Sequence, residues 1–174
     1  KTALAKRYGN WFDEVRSWAG VMVKDGAIMA ELARQEIGNV NALINIDVNG
    51  IGSSGYDHLK TMYKRVSPFN GAEGSEYRDK SRKLKMRNKR AEMYWRMRDA
   101  LDPVDGDDLA LPNDTELLAD LCSARYEVSS AGVKVENKEQ IKARIGRSPD
   151  TGEAVMMCHY DSTHASLPDK QPTQ

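Results

Sequence analysis

The 174-residue sequence has two cysteines, two phenylalanines and no net charge, with 26 basic and 26 acidic residues. Two cysteines, Cys122 and Cys158, are too few for a disulfide framework and read as small core residues. No apolar run approaches the roughly 18–20 residues that a bilayer span needs, so no membrane partner is expected. The opening Lys-Thr-Ala-Leu-Ala-Lys-Arg lacks the long apolar core of a signal peptide. There is no Gly-x-x-x-x-Gly-Lys-Ser/Thr phosphate loop, which excludes a P-loop ATP motor in this stretch. His58, His159 and His164 lack zinc spacing with the cysteines and read as exposed, helix-end and tail residues.

What is present is a composition for one domain with a substantial core, 40% apolar and 30% charged. The zero net charge hides a polarised chain. From Arg78 to Arg98 there are ten Lys/Arg against two acids, and from Asp99 to Asp120 every charge is negative. A local field of that kind matters more to a polyanion than the total.

The pattern predicts strands over 2–8 and 11–18, joined by Gly9-Asn10. Asp25 caps a helix over 26–37, ended by Gly38-Asn39. Residues 42–48 read as a strand buried on both faces, followed by a flexible glycine turn over 50–55, a helix over 56–63 and a short strand over 66–69. A loop over 71–77 leads into a long helix over 81–101, with Leu84, Ala91, Tyr94, Trp95 and Met97 as its apolar positions. An acidic loop over 102–108, an Asp114-capped helix over 115–122 and a hairpin over 126–136 follow. Helices over 138–145 and 152–159 close the domain, 1–161, and 162–174 reads as a polar tail. Strand-helix alternation after a hairpin indicates an α/β domain with a mixed central sheet flanked by helices.

Two segments carry candidate chemistry. Asp47 closes the apolar strand at 42–48, where ligands of open α/β sheets gather, although it can equally cap the following turn. Asp150 follows Ser148-Pro149 and reads either as a helix N-cap or as a metal ligand. Glu153, one turn on, is a capping-box glutamate, a supporting residue or a ligand. The basic stretch is a solvated face, a partner for the acidic loop or a phosphate-binding surface. Its candidates for contact with double-stranded DNA are Lys80, Arg82, Lys83, Lys85, Arg87, Lys89 and Arg90, with Lys138, Lys142 and Arg147 on an opposite wall that also takes in the 126–136 hairpin, Lys134 and Arg144.

Taken in order, these segments resemble the C-terminal nuclease domain of tailed-bacteriophage large terminase subunits. The matching motifs are Ile46-Asp47, Gly50-Ile51-Gly52, Asp57-His58-Leu59, Asn88-Lys89-Arg90-Ala91-Glu92-Met93-Tyr94-Trp95 and Ser148-Pro149-Asp150-Thr151-Gly152-Glu153-Ala154, over roughly residues 1 to 160. The resemblance implies a ribonuclease H-like fold that cuts concatemeric viral DNA during packaging, with two divalent ions, Mg²⁺ or Mn²⁺, between three or four carboxylates. It implies that Asp47 and Asp150 are catalytic ligands, while Glu153 stands where the family has Asp. It also implies an upstream ATPase, a small terminase subunit and a portal as partners, and a place in the host-cell cytoplasm. On the same resemblance, Lys1 falls just after the strand carrying a first catalytic Asp, so the chain as it stands is expected to be nearly inactive. Asp13 and Glu14 are the early acids that would have to substitute. The alternatives are a non-catalytic DNA-binding or assembly module with this fold, and another ribonuclease H-like nuclease of resolvase or transposase type.

Overall fold

The computed structural model describes residues 1–160, so the expected tail lies outside the described residues. The chain opens with four short strands, β1 (Thr2–Leu4), β2 (Arg7–Tyr8), β3 (Trp11–Phe12) and β4 (Arg16–Trp18). β1 pairs antiparallel with β4 (Thr2 opposite Trp18), and β2 with β3 (Tyr8 opposite Trp11). The predicted hairpin is therefore present but broken midway, and Gly9 takes the left-handed φ of 61° that its turn needs.

Helix α1 (Gly26–Ile37) starts where Asp25 accepts the Ile28 amide. Strand β5 (Ile44–Asp47) then pairs in parallel with β6 (Val66–Phe69), across helix α2 (Ile51–Met62). The glycine turn expected over 50–55 is instead the first turn of α2. Packing decides this: a Cβ on Gly52 would overlap the Asp47 carbonyl oxygen, so glycine lets the helix start directly against the strand end. Ala30, Ala33, Ile46 and Leu59 form the core between α1, α2 and β5.

The basic stretch departs furthest from the sequence pattern. Helix α3 spans only Lys89–Ala100, capped by Asn88. Upstream, Asp79 accepts from the Ser81 hydroxyl at 2.6 Å and the Leu84 amide at 2.7 Å, closing a loop in which Arg82 holds a φ of 61°. Side-chain bonds of this kind compete with helix formation. The chain then runs as an added strand edge, with Arg87 donating its amide to the Val133 carbonyl at 2.9 Å and Val133 to that of Lys85 at 2.8 Å. Met86, fully buried, joins Ala91, Trp95, Val133 and Val135 in a second core.

Helix α4 (Thr115–Leu121) is capped by Asp114, strands β7 (Tyr126–Ser129) and β8 (Gly132–Val135) form the second hairpin, and helices α5 (Lys138–Ile145) and α6 (Asp150–His159) end the described chain. Phe12, Phe69, Met93, Met97, Leu117, Val155 and Met156 make the third core, uniting β3, β6, α3, α4 and α6. Among the described residues the strands form four two-stranded sheets, not the single mixed sheet expected from sequence. Cys158 is partly buried in the core, as expected, whereas Cys122 is exposed; both are free thiols. No helix among the described residues is long and apolar enough to cross a membrane.

Candidate active site

Asp47 ends β5 and is half-buried. Its Oδ1 accepts the Asn49 side-chain amide at 2.6 Å and the Asn49 backbone amide at 3.0 Å, so it does cap the turn that follows. Phe69, at the end of β6, accepts the Val48 amide at 3.0 Å, and two residues further Gly71 accepts the Arg90 amide at 3.0 Å. The ends of the parallel pair thus deliver Asp47 and the start of α3 to one place.

Arg90 is the hub. One guanidinium nitrogen lies 2.6 Å from Glu153 Oε1, another donates to the Tyr94 hydroxyl at 3.2 Å, and Nε donates to the Glu136 carbonyl at 3.0 Å. Burial opposes its charge, but Tyr94, Glu153 and Asp47 outweigh that and raise its pKa. Arg90 therefore feels the carboxylates of both β5 and α6.

Asp150 is the first residue of α6, after an N-cap position held by Pro149, so it does not act as the cap. It accepts the Ser148 hydroxyl at 2.7 Å and the Lys138 ammonium at 3.0 Å. Burial pushes its carboxyl up; Ser148 and Lys138 pull harder, and the net pKa is lowered. Glu153 is buried and does not reach back as a capping-box residue. It takes Lys138 at 3.0 Å and the Tyr94 hydroxyl at 3.1 Å besides Arg90. Burial raises the pKa of Tyr94 and the Glu153 charge adds to it, so its hydroxyl keeps the proton it donates.

The Lys138 ammonium thus sits 3.0 Å from one oxygen of Asp150 and 3.0 Å from one of Glu153. The two carboxylates face a common point, and a positive charge stands there. Hard oxygens around a cation are the donor chemistry that Mg²⁺ and Mn²⁺ require. No three Asp, Glu, His or Cys side chains among the described residues stand as an ion-holding group.

Among the described residues, Asp13 and Glu14 make no hydrogen bond or ion pair with Asp47, Asp150, Glu153 or the cations that hold them. Lys6 holds Asp13 at 3.3 Å and Glu36 at 3.3 Å. Arg7, next to Lys6, bonds the His159 carbonyl at the far end of α6 from Asp150.

The basic residues divide. Lys89 pairs with Glu73, Lys85 is 3.6 Å from Glu76, and Lys80 donates to the Asp105 carbonyl of the acidic loop at 2.7 Å. Arg147 is pinned to buried Asp120 and Arg144 to Glu136, while Arg90 and Lys138 serve the carboxylates. Arg82, Lys83, Arg87 and Lys142 are exposed, and no ion pair among the described residues engages them. Two further residues belong to this neighbourhood without a sequence signal for it. Tyr94 reads as an apolar helix position until its hydroxyl is seen against Glu153, and Asp120 carries no local signal at all.

No family model matches the chain, and no curated protein matches it significantly. Solved structures do. The chain superposes on the nuclease domain of the large terminase subunit of bacterial virus Sf6 with a TM-score of 0.71 at 20% identity, covering 90% of this chain and 80% of that one. A lysine-to-alanine mutant of that domain with manganese gives 0.71 at 20%, over 91% and 83% of the two chains, and a mutant with calcium gives 0.69 at 19%, over 90% and 81%.

The fold is that of a large-terminase nuclease domain. In this terminase nuclease fold, Arg90, Lys138, Asp150 and Glu153 come from three separate elements, α3, α5 and α6, and meet in direct ion pairs, while the Asp47 carboxylate at the end of β5 hydrogen-bonds only with Asn49 among the described residues and acts on Arg90 through its charge.

Proposed function

We propose that this chain is the nuclease domain of a viral large terminase, a ribonuclease H-like endonuclease that cuts double-stranded DNA with divalent ions during genome packaging. The observation that carries the reading is the pair of carboxylates, Asp150 and Glu153, facing one cation at 3.0 Å each, in a chain with the terminase nuclease fold. That the related domain was solved with manganese and with calcium supports the same chemistry.

Asp47 and Asp150 would hold the ions, and Glu153 would join them once Lys138 swings away. When bound, two divalent ions would supply an activated water and charge stabilisation at the leaving 3′ oxygen. The chain's own residues do the rest. Arg90 and Tyr94 hold Glu153 in place by charge and by a donated proton. Lys138 compensates the carboxylates while no metal is there. Arg82, Lys83, Arg87 and Lys142 supply sequence-independent contacts to phosphates. Partners would be concatemeric DNA, the small terminase subunit and the portal, within the host-cell cytoplasm.

Titration of the full-length protein with Mn²⁺, followed by the loss of the free-ion electron paramagnetic resonance signal, tests this reading. Saturable binding that Asp150→Asn weakens at least tenfold is expected. Equal binding by the unsubstituted protein and Asp150→Asn would remove Asp150 from the site.

A further inference from the structure

Helix α6 presents both Asp150 and Glu153, yet it has no side-chain cap of its own, because Pro149 at the N-cap offers no acceptor. The first N–H groups of a helix have no partner within it, and burying them unpaired is costly. Here the partner comes from another helix. Asp120 on α4 accepts the Gly152 amide through Oδ2 at 3.0 Å, and its Oδ1 is taken by Arg147. Asp120 is 0% exposed. Burial pushes its carboxyl up by more than the Gly152 amide and Arg147 pull it down, so its net pKa is raised.

The fit is close from both sides. A Cβ on Gly152 would lie 2.6 Å from the Asp120 Cβ, so glycine sets the approach of the two helices. One turn earlier on α4, Glu116 accepts the Thr151 hydroxyl at 2.9 Å, and its carbonyl accepts Arg147 at 3.3 Å. Thr151 and Gly152 lie between Asp150 and Glu153 in the same helical turn. Whatever fixes their backbone fixes the directions of both carboxylates.

We propose that Asp120 is a positioning residue for the carboxylate pair, a cap supplied by α4 that holds the first turn of α6 and so sets where Asp150 and Glu153 point. The inference rests on the reading of those two side chains as the ion site. A buried charge kept at this place, where a local Ser or Asp at the N-cap would satisfy the helix at less desolvation, has a purpose if rigid placement is required. Asp120 itself is assigned no contact with ion or DNA.

The test is Asp120→Asn in the full-length protein, read in two ways. Native-state hydrogen exchange at Gly152 is expected to quicken by about tenfold, because the single acceptor oxygen left by the substitution cannot serve both the Gly152 amide and Arg147, while Ala30 in α1 is unchanged. The Mn²⁺ concentration for half-saturation should rise about tenfold as well. Gly152→Ala, which displaces Asp120 without removing its charge, should give the same two effects and replaces Asp120→Asn if that variant does not fold. Exchange that quickens equally at Gly152 and Ala30, or an unchanged half-saturation alongside loosened Gly152, would reduce Asp120 to a general stability residue and overturn the inference. A protein that binds no Mn²⁺ even unsubstituted would sink the ion reading instead, and the exchange arm would still decide whether Asp120 holds the turn.

Discussion

Arg90, in the first turn of α3, and Glu153, in the first turn of α6, meet at 2.6 Å with both side chains largely buried. They are far apart along the chain, and their contact closes the site between the strand ends and α6. Arg90→Ala would leave Glu153 with Lys138 as its remaining charged partner and open the Glu136 carbonyl and the Tyr94 hydroxyl. Because Lys138 stays, the cost should fall below that of fully orphaning a buried charge, at about 2 kcal/mol. Urea unfolding at unchanged slope measures it. A destabilisation under about 0.5 kcal/mol would show that the pair contributes as little as an exposed one.

Much of this frame is legible in the sequence where the determinants are local. Asp25 and Asp114 cap the helices that follow them, and α5 runs over the predicted 138–145. The strand at Ile44–Asp47 follows from the apolar segment over 42–48, and Val66–Phe69 forms the short strand expected there. What the pattern misses is set at a distance or by competition. Gly52 and Gly55 read as a flexible turn, but one packs against the Asp47 carbonyl and the other against Met29, which makes them helix-contact residues. Residues 81–87 carry helix-compatible side chains, yet Asp79 captures their start and Val133, far along the chain, captures their end. Of the candidate site, the acids are visible as residue types at element ends. Their cation partners are not, because Arg90, Lys138 and Arg147 look like a DNA-facing set until the fold brings carboxylates to each.

The exposed part of the basic stretch should bind phosphates. Replacing Arg82, Lys83 and Arg87 together by Gln is expected to weaken affinity for double-stranded DNA. The slope of log affinity against log salt should fall by about one for each phosphate left without its cation. An unchanged slope in fluorescence-anisotropy titrations would mean that these side chains only face water.

His159 makes stability depend on pH above the carboxylate range. Burial, then Arg7, lower its pKa, while Asp107 at 3.6 Å raises it. The unfolded chain takes up the proton near the ordinary value of 6.5, and the folded chain does so only at lower pH. The stability linked to His159 is therefore full above pH 6.5 and declines as pH falls below it, by at most about 1.4 kcal/mol per pH unit. Denaturation midpoints measured from about pH 7.5 down to about pH 5.5 should show this decline, and His159→Gln should flatten it. An equal decline in the variant would place the titrating group elsewhere.

The most direct measurement is cleavage of supercoiled plasmid by the full-length protein with Mn²⁺ or Mg²⁺, compared with Asp47→Asn and Asp150→Asn. Each substitution removes a charge that the ions need at almost constant volume. The expected result is metal-dependent nicking by the unsubstituted protein with little sequence preference, and none above background by either variant at saturating metal, with circular dichroism unchanged. Cleavage that persists at full rate in both variants, or that proceeds equally in the presence of a chelator, would contradict a metal-dependent nuclease built on these two aspartates.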